Sequence, residues 1–565
     1  MDAATLLAER VKAAVVRAFG PEQAGADPAV HRSNFADFQA DAALRLAKPL
    51  KRPPLELAKA IAEAFEGGDL VENVSVSPPG FVNFTLAKGF LETALAEVAA
   101  DARHGVRAVA RPETVTIDYS SPNIAKEMHV GHIRSTVIGD SLARVLGFLG
   151  HRVIRQNHVG DWGTPFGMLI EHLVDLGTAQ ASSELSVGAL NQFYQAARKK
   201  FDGDPAFAER ARKRVVSLQA GDAETLAYWA ELVDASRRYF GTLYARLDVE
   251  LEDGDVRGES FYNPMLAEVA EDLERRGIAR VDAGALCVFL DEFKGRDGAP
   301  LPLIVRKQDG GFGYAATDVA AVRYRVRELG ATRLLYVIGA PQQQHLAMVF
   351  ATCRKAGYLP DSARAEHVAF GSILGKDKKM FKTRDGETVR LVDLLDEAVE
   401  RAQAAVREKN PELGDAEVKR MAEAVGIGAV KYADLSSDRI KDSIFDFDRM
   451  LAFEGNTGPY LQYAHARLAS LERKAAEEAI AGSAVRLGEE PERRLALELV
   501  ELEPVLRSVG ETLQPHKLAT YLYGLATAFT EFYEKCPVLR APDAATRASR
   551  LTLSRTTRSV LGRGL

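Results

Sequence analysis

The chain has 565 residues, 47% of them hydrophobic and 27% charged, with a formal net charge of -6. That is apolar material for about three or four domains, and a mildly acidic total argues against an indiscriminate polyanion binder while leaving room for a local basic path. Cys287, Cys353 and Cys536 form no C-x-x-C pair, which excludes a thiolate zinc site or a disulfide framework and points to buried thiols in a reducing compartment.

No apolar run reaches the roughly 18 residues needed to span a bilayer, so no membrane partner is expected. Leu6, Leu7, Val11, Val15 and Phe19 share one helical face, and Asp2 and Glu9 among the basic residues argue against a transit peptide. Residues 1–108 read as a small α+β domain. Helical patterns cover about 3–19, 37–48 and 54–66, with Pro54 opening the third; Val71–Val76 and Phe81–Leu86 then alternate like strands around Ser77-Pro78-Pro79-Gly80.

Residues 109–390 read as an α/β domain. Val115–Tyr119 is a short β-type run. The stripe Ile133, Val137, Ile138, Leu142, Val145, Leu146 and Leu149 marks a helix ended by Gly150, and Val153–Val159 is the next strand candidate. Strand, helix, strand in that order predicts a parallel sheet. Residues 176–257 read as a helical insertion, and strand signals return at Leu286–Leu290, Leu303–Val305 and Leu334–Ile338. Residues 391–565 read as an all-α bundle, with amphipathic stretches at 460–480, 493–508 and 515–534.

Two clusters carry chemistry. His129-Val130-Gly131-His132 stands after a strand and loop, at the start of a helix, where free backbone N–H groups and the dipole make an anion site. Gly131 lets a base or ribose approach the backbone. An isolated H-x-x-H is more often a structural or metal pair; its place after strand and loop favours the nucleotide. In the second cluster, five basic residues fall between 376 and 384 within Gly375–Gly386. Like charges at that density repel unless an anion sits among them, and a triphosphate supplies one. Gly371–Asp377 fails as a P-loop, because its glycines are too close and Asp377 stands where a Ser or Thr would hold magnesium.

These clusters resemble the HIGH and KMSKS signatures of class I aminoacyl-tRNA synthetases, the second loosely, as Lys379-Met380-Phe381-Lys382-Thr383. The wider strings resemble arginyl-tRNA synthetases in order and spacing: Ser120–Met128, Asn157–Gly163, Gly258–Tyr262 and Asn456–Arg467. The resemblance covers essentially the whole chain. It implies a class I Rossmann-like parallel-sheet catalytic domain between a small N-terminal module that touches the tRNA elbow and a helical anticodon-binding bundle. An ATP-dependent nucleotidyltransferase shares the HIGH-type sheet but would need neither flanking module.

The resemblance also implies roles. ATP is held by His129, Gly131, His132, Lys379 and Lys382, with Lys126 sharing the phosphate work and Mg²⁺ on the triphosphate. L-arginine is held by Asp118, Asn123, Tyr314, Asp318 and Gln342, with Glu259 and His345 adjacent. A guanidinium never loses its charge and needs carboxylates, which Asp118 and Asp318 can supply. Phe81 and Asn83 occupy elbow-contact positions; Tyr460, Tyr463 and Arg467 occupy anticodon-contact positions, although at helical spacing Tyr460 and Tyr463 could equally be core. No protein-held metal is implied. The partners are tRNA(Arg), arginine and ATP, and a cytoplasmic monomer is expected. The family usually continues a short way past this end with a segment that helps form the anticodon pocket; here the sequence stops at Gly564-Leu565.

Overall fold

Val115, Ile117, Leu334 and Leu335 are fully buried, as expected of strands covered on both faces. In the computed structural model, which describes all residues except 1, 34, 178–188, 296–297, 376–378 and 380–388, they lie in a four-stranded parallel sheet. Its order is Arg364–His367, Arg333–Tyr336, Thr114–Asp118, Arg152–Gln156. From Thr114–Asp118 the chain runs through helix Val130–Phe148 to Arg152–Gln156 on one side, and later places Arg333–Tyr336 on the other. Strand order therefore reverses between Thr114–Asp118 and Arg333–Tyr336, and a crevice opens at their carboxyl ends. Helix Val130–Phe148 buries the predicted stripe, and Gly150 follows it at φ 96°.

Two corrections concern this sheet. Arg364–His367 is an edge strand that its charged composition concealed. The predicted strands around Leu286 and Leu303 lie outside the parallel sheet, as Ala285–Lys294 and Pro300–Arg306 of a separate antiparallel sheet with Ala279–Asp282.

The chain divides into two compact units, Met1–Arg107 with Tyr460–Ser508 and Lys517–Leu565, and Ala108–Pro459 with Val509–His516. The sheet unit therefore runs past the boundary expected at 390. Helices Leu391–Lys409 and Asp415–Leu435 pack on each other and on Val130–Phe148, burying Leu394, Leu395, Val418 and Ala422. The insertion is helical as expected, with Leu190–Gly203, Pro205–Ala220 and Ala223–Arg246 described.

In the other unit, an antiparallel sheet is ordered Val30–Arg32, Phe38–Ala40, Phe81–Leu86, Val71–Ser77. The helix expected from 37 begins only at Ala42. Phe38 and Ala40 alternate inward and pair with Phe84 and Val82, so strand geometry wins there. Pro54 does open the third helix, Pro54–Ala64. The helical stretch expected at 493–508 is broken at Glu501 into Glu490–Val500 and Leu502–Thr512. Arg493 donates to Asp37 Oδ2 at 2.5 Å and to the Leu86 carbonyl at 2.7 Å, so N-terminal sheet and C-terminal helices share one polar junction. Among the described residues, no helix is long and apolar enough to cross a membrane.

Candidate active site

The helix after the first strand starts with an unusual cap. His129 is its extended N-cap residue, and His129 Nδ1 accepts the Gly131 amide at 3.1 Å. His132 Nδ1 accepts the His129 amide at 3.0 Å, so the two imidazoles form a reciprocal capping box with ring centroids 3.9 Å apart. A nitrogen that accepts an N–H carries no proton, so each ring holds its hydrogen on Nε2. Burial, with His129 beside it, pushes His132 down to about 3. Burial, then the Lys126 charge, lowers His129 as well. Both rings therefore enter neutral solution as uncharged Nε2–H donors. Gly131 has a second reason to be glycine: a Cβ there would stand 2.9 Å from the His129 ring.

Backbone pairing ties the segment just past the second cluster to the first. Val130 donates to the Val389 carbonyl at 3.0 Å and Leu391 to the Met128 carbonyl at 2.8 Å. The chain just past the basic cluster is thus stitched to the chain that enters the signature helix. On the other flank, Ile373–Leu374 pairs in parallel with Ser443–Ile444. Arg134, on the signature helix, donates to the Lys441 carbonyl at 2.8 Å and pairs with buried Asp434 at 2.8 Å. Lys379 is exposed, and its carbonyl accepts the Gly375 amide at 2.8 Å. Lys382 lies outside the described residues.

The loop between strand and signature is held in a strained form. Ser120, Ser121 and Ala125 have φ of 71°, 48° and 58°, a region costly for non-glycine residues unless the surroundings enforce it. The insertion helix Ala223–Arg246 does so. Ser236 Oγ accepts the Ala125 amide at 2.8 Å, Tyr239 OH accepts the Met128 amide at 3.2 Å, and Tyr244 OH bonds Ser120 Oγ at 2.7 Å. Lys126 Nζ lies 4.5 Å from the ring centroid of Tyr194, on another insertion helix. Asn123 is exposed and bridges Gly160.

At the sheet's carboxyl edge the structure gathers acids. Asp118 is 3% exposed, and both its oxygens are engaged: Oδ2 accepts Arg325 Nη2 at 2.6 Å, Oδ1 accepts Ser121 Oγ at 2.9 Å. Arg325 is wholly buried, its guanidinium 4.8 Å from the Tyr336 ring centroid. Asp118 therefore already holds a guanidinium, one belonging to the chain. Asp318, on the same helix as Arg325, instead accepts His345 Nε2 at 2.6 Å, and that bond raises the His345 pKa. Burial, then the charges of Asp161 and Asp318, pushes Glu259 up to about 7. Tyr314, one turn before Asp318, is 75% exposed. Gln342 is exposed, in the turn after Arg333–Tyr336.

Comparison with known proteins divides the chain into three consecutive parts. Residues 94–447 match the family described as tRNA synthetases class I (R), catalytic domain; 461–565 match the DALR anticodon binding domain; 5–86 match the arginyl tRNA synthetase N terminal domain. The chain is 52% identical over 565 residues to an arginine–tRNA ligase of Thermobifida fusca, covering 100% of this chain and 98% of the relative. It belongs to the arginyl-tRNA synthetase family. A relative of the same name from Frankia casuarinae is 52% identical, covering 98% of this chain and 95% of its own. The arginyl-tRNA synthetase of Plasmodium falciparum superposes with a TM-score of 0.84 at 30% identity, covering 99% of this chain and 97% of its own. That of Thermus thermophilus gives 0.81 at 26%, covering 100% and 98%.

Just before the matched anticodon domain, Tyr460 is half-buried, bonded to Thr530 at 3.1 Å and tilted against Tyr523. Tyr463 is 51% exposed. The Arg467 guanidinium lies 4.9 Å from the Tyr463 ring and 5.0 Å from that of Tyr533, a residue the sequence did not single out. In the family's N-terminal domain, Phe81 is half-buried. Asn83 is buried and donates to Ser77 Oγ at 2.9 Å; among the described residues its Oδ1 has no hydrogen-bond partner.

Proposed function

We propose that the chain activates L-arginine with ATP to arginyl-adenylate and transfers the arginyl group to the 3′-terminal adenosine of tRNA(Arg), with activation dependent on tRNA. One observation carries this reading: Val389 and Leu391 pair with Val130 and Met128, so the residues just past the lysine-rich stretch are tethered beside a helix N-terminus capped by neutral imidazoles.

The arginine carboxylate attacks the α-phosphorus of ATP and pyrophosphate leaves. The nucleophile is already ionised, so no general base is required, and the protein's task is alignment and stabilisation of charge on the phosphates. His129 and His132 supply Nε2–H donors beside the helix N-terminus and Gly131, while Lys126, Lys379 and Lys382 supply positive charge. Mg²⁺ enters with ATP as part of the substrate. The 2′-hydroxyl of the terminal adenosine then attacks the arginyl carbonyl carbon, and AMP leaves.

Asp318 and Glu259 form the guanidinium seat on this reading. Asp118, satisfied by Arg325, shapes the floor and orients Ser121. Asn123, Tyr314 and Gln342 ring the mouth and hold the ammonium and carboxylate of the substrate. Tyr463 and Arg467, with Tyr533, offer stacking planes to unpaired anticodon bases, Tyr460 backs them, and Phe81 and Asn83 meet the elbow. A monomer is the proposed state, and three buried free cysteines suit the reducing cytoplasm.

The test is ATP–pyrophosphate exchange with each amino acid, with and without tRNA. Exchange with arginine alone, and only when tRNA is present, is the expected result. Exchange with another amino acid would overturn the substrate, and strong exchange by RNA-free protein would overturn the coupling.

A further inference from the structure

Two strings marked in the sequence, Asn157–Gly163 and Gly258–Tyr262, lend the chemistry above only Glu259. In the structure they are one device. Asn157 donates to the Asp255 carbonyl at 2.9 Å, Arg257 to the Asn157 carbonyl at 3.0 Å, and Glu259 to the Val159 carbonyl at 3.1 Å. The two segments thus run side by side as a short backbone ladder. Beyond it, a side chain takes over. Asp161 Oδ1 accepts the Ser260 amide at 2.8 Å, and Oδ2 accepts Ser260 Oγ at 2.6 Å.

Ser260 is the second residue of helix Glu259–Arg275, so its amide is one of the donors a helix leaves unpaired. Asp161 satisfies it from a segment almost a hundred residues away in sequence. The fit is close: a Cβ on Gly258 would stand 2.1 Å from Asp161 Oδ2, so only glycine lets the carboxylate in. Trp229 Nε1 donates to the Asp161 carbonyl at 2.7 Å and fixes the backbone from the insertion side. Asp161 itself is 3% exposed. An ordinary remote cap has no need to be a buried carboxylate placed beside two other acids, where each raises the cost of ionising its neighbours. What the arrangement does is hold the residue before Ser260, and that residue is Glu259. The backbone amide of Trp162, next to Asp161, also bonds the Glu259 carboxylate.

We propose that Asp161 is a positioning residue for arginine selection: it locks the first turn of helix Glu259–Arg275 so that Glu259 stands as the second arm, with Asp318, of the guanidinium seat. This rests on the reading of Glu259 and Asp318 as that seat.

The experiment compares Asp161→Ala, Asp161→Asn, Glu259→Gln and Asp161→Ala/Glu259→Gln in tRNA aminoacylation, with KM for arginine and for ATP, kcat, and thermal melting. Asp161→Ala should raise arginine KM by about 10- to 100-fold with ATP KM and kcat within about threefold, the pattern of lost ground-state binding. Asparagine can keep a bond to the Ser260 amide and one to its hydroxyl, so Asp161→Asn should recover most of that loss. The double variant should be no worse than Glu259→Gln alone, since Asp161 acts through Glu259. Multiplying effects in the double variant, or an ATP KM that rises with arginine KM, would overturn the proposal. If Glu259→Gln raises arginine KM and Asp161→Ala does not, the positioning role fails while the seat stands. If Glu259→Gln leaves arginine KM unchanged, the seat reading falls and takes the proposal with it. Should Asp161→Ala fail to fold, Ser260→Ala removes one of the two bonds; it should raise arginine KM several-fold at unchanged ATP KM, and an unchanged arginine KM would overturn the role.

Discussion

The imidazole-capped helix and the acidic pocket sit at neighbouring strand ends but are built on opposite principles. The helix start is contiguous, pinned by backbone hydrogen bonds, and keeps its two histidines uncharged, His132 down at about 3. The pocket draws carboxylates from separated stretches of chain, and burial, then the charges of Asp161 and Asp318, holds Glu259 up at about 7. One half donates hydrogen bonds without titrating near neutrality. The other changes its charge there. On the proposed reading, recognition of a permanent cation and of a polyanion takes two different treatments of burial.

The largest expected effect attacks the phosphate half. Lys382→Ala should slow adenylate formation about 100-fold, the loss of roughly 3 kcal/mol typical of one charged contact to a transition state, with arginine KM almost unchanged. A normal rate with raised arginine KM would mean that the division between the halves is false. In the acidic half, Asp318→Asn should raise arginine KM by at least about tenfold and narrow the preference for arginine over citrulline, because the pocket keeps its shape and loses one charge. Unchanged discrimination would remove Asp318 from the seat.

Smaller and more diagnostic is the response to pH. Below about 7, Glu259 is protonated in the free pocket. Losing that charge opposes a guanidinium, so arginine KM should rise by up to about tenfold per unit as pH falls from 7.5 to 6, while ATP KM should change far less, because His132, down at about 3, stays neutral there and burial lowers His129 as well. Glu259→Gln should flatten most of the slope. A parallel rise in ATP KM would show that the cap titrates too. Smallest is the remote effect. Tyr463→Ala removes one stacking plane and should cut arginine-dependent exchange about fivefold, at the low end of the worth of base stacking. Exchange that ignores Tyr463 would separate the anticodon domain from activation.

The same contrast decides what the sequence alone could reveal. His129–His132 was legible because strand, loop and helix start are adjacent in the chain, so position supplied the geometry. The acids were legible only through the family resemblance, and even then Asp118 looked like a ligand-binding carboxylate. Its partner Arg325 stands seven residues after Asp318 on one helical face, a spacing that signals a shared side but not a pairing with residue 118. Likewise Asp161 and Ser260 meet by tertiary folding, and no local pattern joins them. The strand at Phe38–Ala40 was hidden by neighbouring helix formers, and its pairing with Phe84 and Val82 decided the matter. Helices after 390 were correctly read as helices, while their attachment to the sheet unit depended on packing against Val130–Phe148.

The left-handed residues of the 120–125 loop carry a consequence for anyone wishing to shrink this enzyme. Residues 176–257 look expendable, a decoration on a Rossmann-like core. Yet Ser236, Tyr239 and Tyr244 are what keep Ser120 and the amides of Ala125 and Met128 in place. Trim that segment and the sheet could still form, but Ser120, Ser121 and Ala125 would be free to relax to ordinary negative φ, swinging Lys126 and the start of the signature helix away from the crevice. A miniaturised version would therefore keep its nucleotide fold and lose its register for the reaction, unless glycines or a new brace were designed into the loop first.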